Sequence, residues 1–328
     1  MLGYRHAFHA GNPADVLKHS ALIFCLEYLT RKETPLLCVD THAGRGIYRL
    51  DEGFAAKNRE WERGAGRLRR FQGALPALLE SWRKCAGADI PASGSVVPPA
   101  AENGAVLQAV ENGAAVPASG GAASPAADDG ALWYPGSPEI FRRLLREQDR
   151  ACCFELHPAD FAALEERFRH DRRFRIRRQD GFEGLIALLP PPSRRGLILI
   201  DPSYEMKEDF GRLPECLSAA LRRFSTGTCL IWYPLLADYP ESLRLPERLM
   251  GLYGGNRLRV EVRTGPVRPE GGGPSPGQGG RSPRGMFGSG LVICNPPWTL
   301  GPALKEALPF LAEGPEGGER GWKIWTET

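Results

Sequence analysis

Short apolar runs recur along the chain, and several of them end directly in an acidic residue. Seven runs have the length and composition of buried strands: residues 36–39, 151–154, 174–176, 197–200, 229–232, 258–262 and 291–294. Segments with helical periodicity separate most of them, among others 13–32, 137–148, 158–169 and 207–224. This alternation predicts an α/β fold with a mostly parallel sheet, right-handed crossovers and helices on both faces.

The pattern predicts one core that is interrupted by an insertion. Residues 1–46 and 136–328 would form the core, and residues 47–135 would form a small helical insert. Within the insert, residues 86–130 are rich in Ala, Gly, Pro and Ser and contain hardly any aromatic residues. Such a composition buries too little surface to offset chain entropy, so we expect a disordered loop there and a second one at 265–285.

Composition narrows the class of protein. The 328 residues are 42% hydrophobic, enough for a sizeable core, and the net charge of +3 does not by itself identify a nucleic-acid binder. The eight cysteines contain no C-x-x-C pair, so we expect buried thiols, no metal site and no disulfides. No apolar run approaches a membrane span or the apolar region of a signal peptide, which predicts a soluble, cytoplasmic protein.

Four acidic residues follow predicted strands: Asp40, Glu155, Asp180 and Asp201. In an open α/β sheet, ligands bind beyond the carboxyl ends of the strands. One acid at such a position is as often a solvated loop residue, but four at successive strand ends indicate a common cleft.

A glycine turn follows the first strand, in the sequence Asp-Thr-His-Ala-Gly-Arg-Gly. Gly44 and Gly46 allow the backbone to approach a ligand closely, although a plain strand–helix turn has the same appearance. A dinucleotide motif would need glycine where Arg49 stands, which argues against NAD.

Two of the acids have the chemistry of an adenosine site. Glu155 can accept hydrogen bonds from the hydroxyl groups of a ribose. Asp180 can accept one from an adenine amino group, with Gly181 and Phe182 beside the ring. The alternative for each acid is a helix N-cap or a surface position.

The sharpest motif is Asp201-Pro202-Ser203-Tyr204, which resembles the D-P-P-Y motif of methyltransferases that act on adenine N6. An aromatic amino nitrogen is a poor nucleophile because its lone pair is delocalised into the ring. Asp201 and the Pro202 carbonyl can each accept one N–H and direct the lone pair at the methyl group, while Tyr204 stacks on an extruded base. Ser203 departs from the usual second proline, and an ordinary D-P-x turn remains the alternative.

A second match to the same motif type, Asn295-Pro-Pro-Trp298, follows the last predicted strand. In a methyltransferase sheet that strand runs antiparallel, so its carboxyl end lies at the opposite edge from the cofactor. We therefore favour Asp201 over Asn295 as the catalytic position.

Segments across nearly the whole chain resemble the RlmJ family of 23S ribosomal RNA adenine-N6 methyltransferases. They are MLGYRHAFHAGNPADVLKHS, LLCVDTHAGRGIYRL, WYPGSP, ELHP, DGF, SRRGLILIDPSYEMK and CNPPW, in that order. The resemblance implies a class I, Rossmann-like methyltransferase with a seven-stranded sheet and a helical insert. It also implies that the protein uses S-adenosyl-L-methionine to methylate 23S ribosomal RNA, at adenine 2030. We separately expect a monomer.

The resemblance assigns roles by motif. The cofactor-binding residues would be Lys18, His19, His42, Gly44, Ser137, Glu155, Asp180 and Gly181. The catalytic residues would be Asp201, Pro202 and Tyr204. The resemblance assigns Tyr4 to the RNA substrate, and Arg5 and His6 are predicted to contact RNA because they form a basic, aromatic patch beside it. Without the family, the two histidines would be ordinary helix-face or loop residues.

Seven arginines surround the third core strand: Arg167, Arg169, Arg172, Arg173, Arg175, Arg177 and Arg178. They indicate either phosphate binding or a solvated basic surface. Two other functions remain open at this point. One is methylation of DNA adenine by the same chemistry, and the other is a non-catalytic RNA-binding protein on a methyltransferase-like scaffold.

Overall fold

The computed structural model describes residues 6–87, 132–263, 285–312 and 321–327. The two expected loops, 86–130 and 265–285, lie outside the described residues except at 86–87 and 285. Among the helices of the described residues, none is long and apolar enough to cross a membrane.

The described residues contain ten strands, of which eight form a mixed sheet at the centre of the fold and two form a separate small sheet. The strands in chain order are β1 (Leu37–Asp40), β2 (Ile47–Arg49), β3 (Trp133–Pro135), β4 (Arg150–Phe154), β5 (Phe174–Arg177), β6 (Gly196–Ile200), β7 (Thr228–Leu236), β8 (Arg257–Arg263), β9 (Met286–Cys294) and β10 (Trp322–Glu327). The order across the sheet is β10-β8-β9-β7-β6-β1-β4-β5. Strands β7, β6, β1, β4 and β5 are parallel, and β9 is antiparallel to β7 and β8.

The α/β class and all seven predicted strands are confirmed, but the count of seven was wrong by one. The eighth strand of the sheet, β10, pairs antiparallel with β8 at the far edge. Its apolar residues Trp322, Ile324 and Trp325 are interrupted by Lys323, so it lacks the continuous apolar run of a strand buried on both faces.

Helices cover both faces of the sheet. They are α1 (Pro13–Leu29), α2 (Gly53–Asn58), α3 (Ala65–Arg70), α4 (Ala77–Gly87), α5 (Ser137–Leu144), α6 (Pro158–Phe168), α7 (Gly181–Ala187), α8 (Asp209–Arg223), α9 (Pro240–Gly251) and α10 (Leu300–Leu311). Helices α1, α4, α5 and α10 share one apolar cluster, and α7, α8 and α9 share the cluster on the other face.

Helix α1 is buried on almost every side, so its polar residues also lie in the interior. The Asn12 side chain caps its start by accepting a hydrogen bond from the Asp15 amide, and Pro13 occupies the first turn. The helix ends at Leu29, three residues before the expected boundary.

The segment 47–135 leaves and rejoins the core at one place. Strand β2 follows the glycine turn, and it pairs antiparallel with β3, which leads into α5. The division of the chain into a core and an insert stays a prediction.

Candidate active site

A cleft opens at the carboxyl ends of β1, β4, β5 and β6. It encloses about 1050 Å³ of space between atoms, a figure that includes solvent at its open mouth. Its lining contains most of the residues expected from sequence, namely His6, Lys18, His19, His42, Gly44, Ser137, Glu155, Asp180, Gly181 and Asp201. Asp201 and Gly44 of the glycine turn line the same cleft, while their roles stay predictions.

Asp40 lies beneath the floor of the cleft and is fully buried. Its carboxylate accepts hydrogen bonds from the Ser137 hydroxyl at 2.5 Å and from the His42 amide at 3.2 Å. Burial raises the pKa of Asp40 to about 7, although both hydrogen bonds act in the opposite direction. Asp40 therefore supports the turn that carries His42 and the start of α5.

Glu155 is tied to the glycine turn. Its Oε2 accepts from the Gly44 amide at 2.8 Å, and its Oε1 accepts from the His157 amide at 2.7 Å. Gly44 has a φ of +61°, and an added Cβ would lie 2.2 Å from the hydroxyl of Tyr48. Burial raises the pKa of Glu155. The turn and the acid thus form one wall of the cleft.

Asp180 is the N-cap of α7, the role that the sequence left as its alternative. Its Oδ1 accepts from the Phe182 amide at 2.9 Å, and its Oδ2 accepts from Arg212 at 2.7 Å. Burial would raise the pKa of Asp180, but the Arg212 guanidinium and the backbone amides hold it below its usual value. At Gly181 an added Cβ would lie 2.0 Å from the carbonyl oxygen of Thr41, so only glycine allows α7 to approach the turn this closely. Contact of Asp180 with adenine stays a prediction.

Lys18 reaches the Asp201-Pro202-Ser203-Tyr204 motif from helix α1. Its Nζ donates to Asp201 Oδ2 at 2.5 Å and lies 2.7 Å from Asp15 Oδ1. Burial would lower the pKa of Lys18, but the two carboxylates raise it above its usual value. Within the described residues, Asp201 Oδ1 has no hydrogen-bond partner, so one oxygen is anchored and the other is open to a ligand.

Asp15 is a residue of this site that the sequence reasoning missed. It is 3% exposed, and its Oδ2 accepts from His6 Nε2 at 2.9 Å and from the Gly11 amide at 3.0 Å. Burial would raise the pKa of Asp15, but His6 and Lys18 hold it well below its usual value. An acid in the first turn of a helix is ordinary, so only its burial between two cleft residues identifies it.

The two histidines of the cofactor prediction are buried to different degrees, His19 fully and His42 partly, and both have a lowered pKa. Burial lowers the pKa of His19 to about 3, and the Nδ1 of His19 is hydrogen-bonded to the Tyr134 hydroxyl at 2.8 Å. Burial likewise lowers the pKa of His42 to about 4. His42 is hydrogen-bonded to the Thr41 hydroxyl and contacts the Phe182 ring edge-on. Neither carries charge near neutral pH.

Tyr204 does not line the cleft in this structure. Its ring is 7% exposed, and its hydroxyl donates to the Trp232 carbonyl at 2.6 Å. The exposed apolar side chains at the mouth are instead Leu156 and Met206. Stacking of Tyr204 on a base stays a prediction that requires its segment to move.

Of the three residues predicted to contact RNA, the structure describes only His6. Tyr4 and Arg5 lie outside the described residues. His6 lies at the cleft with its ring edge-on to Tyr48, 5.2 Å between centroids.

Asn295 lies at the opposite edge of the sheet. Because β9 is antiparallel to β7, its last residue Cys294 pairs with Cys229 near the start of β7. The Asn295 amide donates to the carbonyls of Ser225 and Gly227, at 2.7 and 2.9 Å. The second motif is therefore a structural cap, far from the cleft.

The family of ribosomal RNA large subunit methyltransferases described as RlmJ matches residues 126–325 of the chain. This chain belongs to the RlmJ family. Two proteins named ribosomal RNA large subunit methyltransferase J are each 36% identical to it. The alignment with the Haemophilus influenzae protein covers 97% of this chain and 96% of that protein. The alignment with the Escherichia coli protein covers 95% of this chain and 93% of that protein.

The crystal structure of a Legionella pneumophila protein has the same fold as this RlmJ family member. The TM-score is 0.73 at 29% identity, and the match covers 98% of both chains. The resemblance inferred from the motifs is thereby confirmed over the full length.

Proposed function

We propose that this chain uses S-adenosyl-L-methionine to methylate the N6 amino group of an adenine in 23S ribosomal RNA. One observation carries the proposal. Asp201 presents a single open carboxylate oxygen to a cleft whose other wall is the Gly44 turn and Glu155. Both relatives in the RlmJ family are named for methylation of large-subunit ribosomal RNA.

The residues of the cleft suit this cofactor. Glu155 offers acceptor lone pairs to ribose hydroxyls, and the amides of the Gly44 turn lie beside it. His42, which contacts Phe182, would offer aromatic surface to the adenine, and Lys18 and His19, which also line the cleft, would face the carboxylate of the cofactor. When bound, S-adenosyl-L-methionine would supply the methyl group from its sulfonium and leave as the neutral thioether, while the amino nitrogen loses one proton.

Asp201 positions the acceptor nitrogen. Its open Oδ1 accepts one N–H of the adenine amino group, and the Pro202 carbonyl accepts the other. The lone pair is then held on the cofactor side, and orientation of this kind contributes roughly 7–11 kcal/mol to lowering a barrier. Lys18 keeps the Asp201 side chain from rotating away because it anchors Oδ2.

The assignment of ribosomal RNA as substrate is supported by membership of the family. The assignment of adenine 2030 as the target is supported only by the resemblance. A monomer acting in the cytoplasm is part of the same proposal. Duplex DNA is the competing substrate, since the amino chemistry is identical.

The deciding experiment is mass mapping of N6-methyladenine in 23S ribosomal RNA from cells with and without the gene. The purified protein would then be assayed on protein-free RNA and on duplex DNA. We expect transfer to RNA, and calorimetric binding of S-adenosyl-L-methionine by both wild type and Asp201→Ala. Methylation of DNA alone would replace the RNA substrate, and absence of cofactor binding would remove the enzyme assignment.

A further inference from the structure

Strand β5 is the outer edge of the sheet on the side of the cleft. Its residues alternate, so that Phe174 and Ile176 join the apolar cluster of α1, while Arg175 and Arg177 face the other way. Arg175 is paired in register with Cys152, and Arg177 with Phe154, which belong to the cluster under α7. The two guanidinium groups therefore lie on the α7 face of an exposed edge.

The arginines around β5 fall into two groups. Three have carboxylate partners: Arg167 with Glu139, Arg169 with Glu166 and Arg173 with Asp171. Four have no side-chain ion pair or hydrogen bond within the described residues: Arg172, Arg175, Arg177 and Arg178. The partnered arginines hold local structure together, whereas the other four leave their charge available.

Two of these four arginines, Arg175 and Arg177, lie on the strand whose carboxyl end borders the cleft. Arg177 ends β5, and Asp180, which lines the cleft, follows three residues later. Alternate residues of a strand are roughly 6.6 Å apart, so Arg175 and Arg177 offer two charges in a row. At the start of α7, the Asp180 carboxylate is already paired with Arg212.

Charged residues on an edge strand can also have a purely protective role, because they prevent edge-to-edge aggregation of sheets. That role needs charge of either sign. Phosphate binding needs positive charge, and this difference allows the two explanations to be separated.

We propose that the arginine strip, defined as Arg175 and Arg177, binds the phosphate backbone of the RNA that flanks the target adenine. The inference rests on the proposed RNA substrate and adds a surface to it. The strip neutralises phosphates along β5 and guides the strand to the mouth of the cleft. It supplies affinity and orientation, and the reacting atoms lie elsewhere.

The test compares Arg175→Gln/Arg177→Gln and Arg175→Glu/Arg177→Glu with the control Arg169→Gln. Arg169 lies in the same segment, is exposed and already has an acidic partner. Binding of a 23S ribosomal RNA fragment would be measured by filter retention at several salt concentrations. Methyl transfer at saturating RNA, cofactor affinity and size-exclusion elution would be measured in parallel.

We expect the Gln pair to weaken RNA binding more than about fivefold and to lower the slope of log Kd against log salt by about 1.4–1.8, as loss of two phosphate contacts requires. The Glu pair should weaken binding further and still elute as wild type does. The rate at saturating RNA, the cofactor affinity and the Arg169→Gln variant should stay near wild type.

An unchanged salt slope in both double variants would overturn the inference and leave the edge-protection explanation. Such a result would leave the proposed function standing if wild type methylates the RNA. Failure of wild type to methylate RNA would instead count against the proposed function, and the binding data would still decide the role of the strip.

Discussion

The Nζ atom of Lys18 lies 2.5 Å from Oδ2 of Asp201, although 183 positions separate the two residues in the chain. Lys18 is 3% exposed, and it also contacts Asp15. A buried charge is tolerated only when it is paired, so the helix and the strand-end motif are bound to each other through this contact. The orientation of the proposed catalytic carboxylate is thus set by the first helix.

The first prediction concerns Asp201→Asn. The amide has the same shape, but one of its two terminal groups is now a donor, so it cannot both pair with Lys18 and accept the amino hydrogen. We expect methyl transfer to fall by about 100-fold or more, by analogy with loss of a single preorganised polar group, while cofactor Kd stays within about threefold. Single-turnover assays and calorimetry would measure the two. Wild-type transfer in a folded variant would exclude Asp201 from the proposed role.

The second prediction concerns Asp15→Asn. The variant weakens the contacts that position His6 and Lys18 at the cleft. We expect the maximal rate to fall about tenfold or more, because small displacements of catalytic groups are costly, with a smaller change in cofactor Kd. Glu60→Gln is the matched control, since Glu60 forms a similar 2.9 Å pair with His9 outside the cleft lining. Equal losses in the two variants would indicate a general effect on folding.

The third prediction is a pH dependence of stability that arises from His42. Its pKa is about 4 in the folded protein against an ordinary 6.5, so the unfolded chain binds a proton first as the pH falls. The free energy of unfolding should therefore decrease between pH 6.5 and 4 on account of this group. Urea unfolding at pH 7.5 and 5.0 should show a larger loss for wild type than for His42→Gln. If wild type and His42→Gln lose the same free energy of unfolding between the two pH values, His42 is not held neutral in the folded protein.

The fourth prediction separates two roles of Tyr204. Tyr204→Phe removes the hydrogen bond to Trp232 and should lower the free energy of unfolding by about 0.5–1.5 kcal/mol, with little effect on transfer. If the ring moves out to stack on the target base, Tyr204→Leu should raise the KM for RNA by about 5- to 150-fold, the equivalent of 1–3 kcal/mol. A Leu variant with an unchanged KM would leave Tyr204 as a core residue.

The fifth prediction concerns Asn295→Ala. Loss of the amide leaves the carbonyls of Ser225 and Gly227 without this donor, which should cost about 1–3 kcal/mol of stability. Methyl transfer below the melting temperature should match wild type, because the residue lies at the far edge of the sheet. Asn295→Gly tolerates the φ of +51° and separates backbone strain from the lost hydrogen bonds. A folded but inactive Ala variant would restore Asn295 as a catalytic candidate.

Local pattern was sufficient for much of the fold. Continuous apolar runs such as Leu197–Ile200 predicted strands buried on both faces, and the acids after them marked one edge of the sheet. That follows because parallel strands direct all their carboxyl ends to one side. The pattern failed at β10, whose apolar residues are interrupted by Lys323 and which pairs, among the described strands, only with β8 at the edge of the sheet.

The sequence by itself determined the alternation of strands and helices, the acidic strand ends, the glycine turn and the motif at Asp201, since each depends on neighbours in the chain. Only the tertiary structure decided that Lys18 contacts Asp201, that Asp15 lies between His6 and Lys18, and that Tyr204 is turned into the core. Periodicity tells which face of an element is buried. It does not tell which side chains of distant elements meet there, because that depends on strand order and on how the buried helix crosses the sheet.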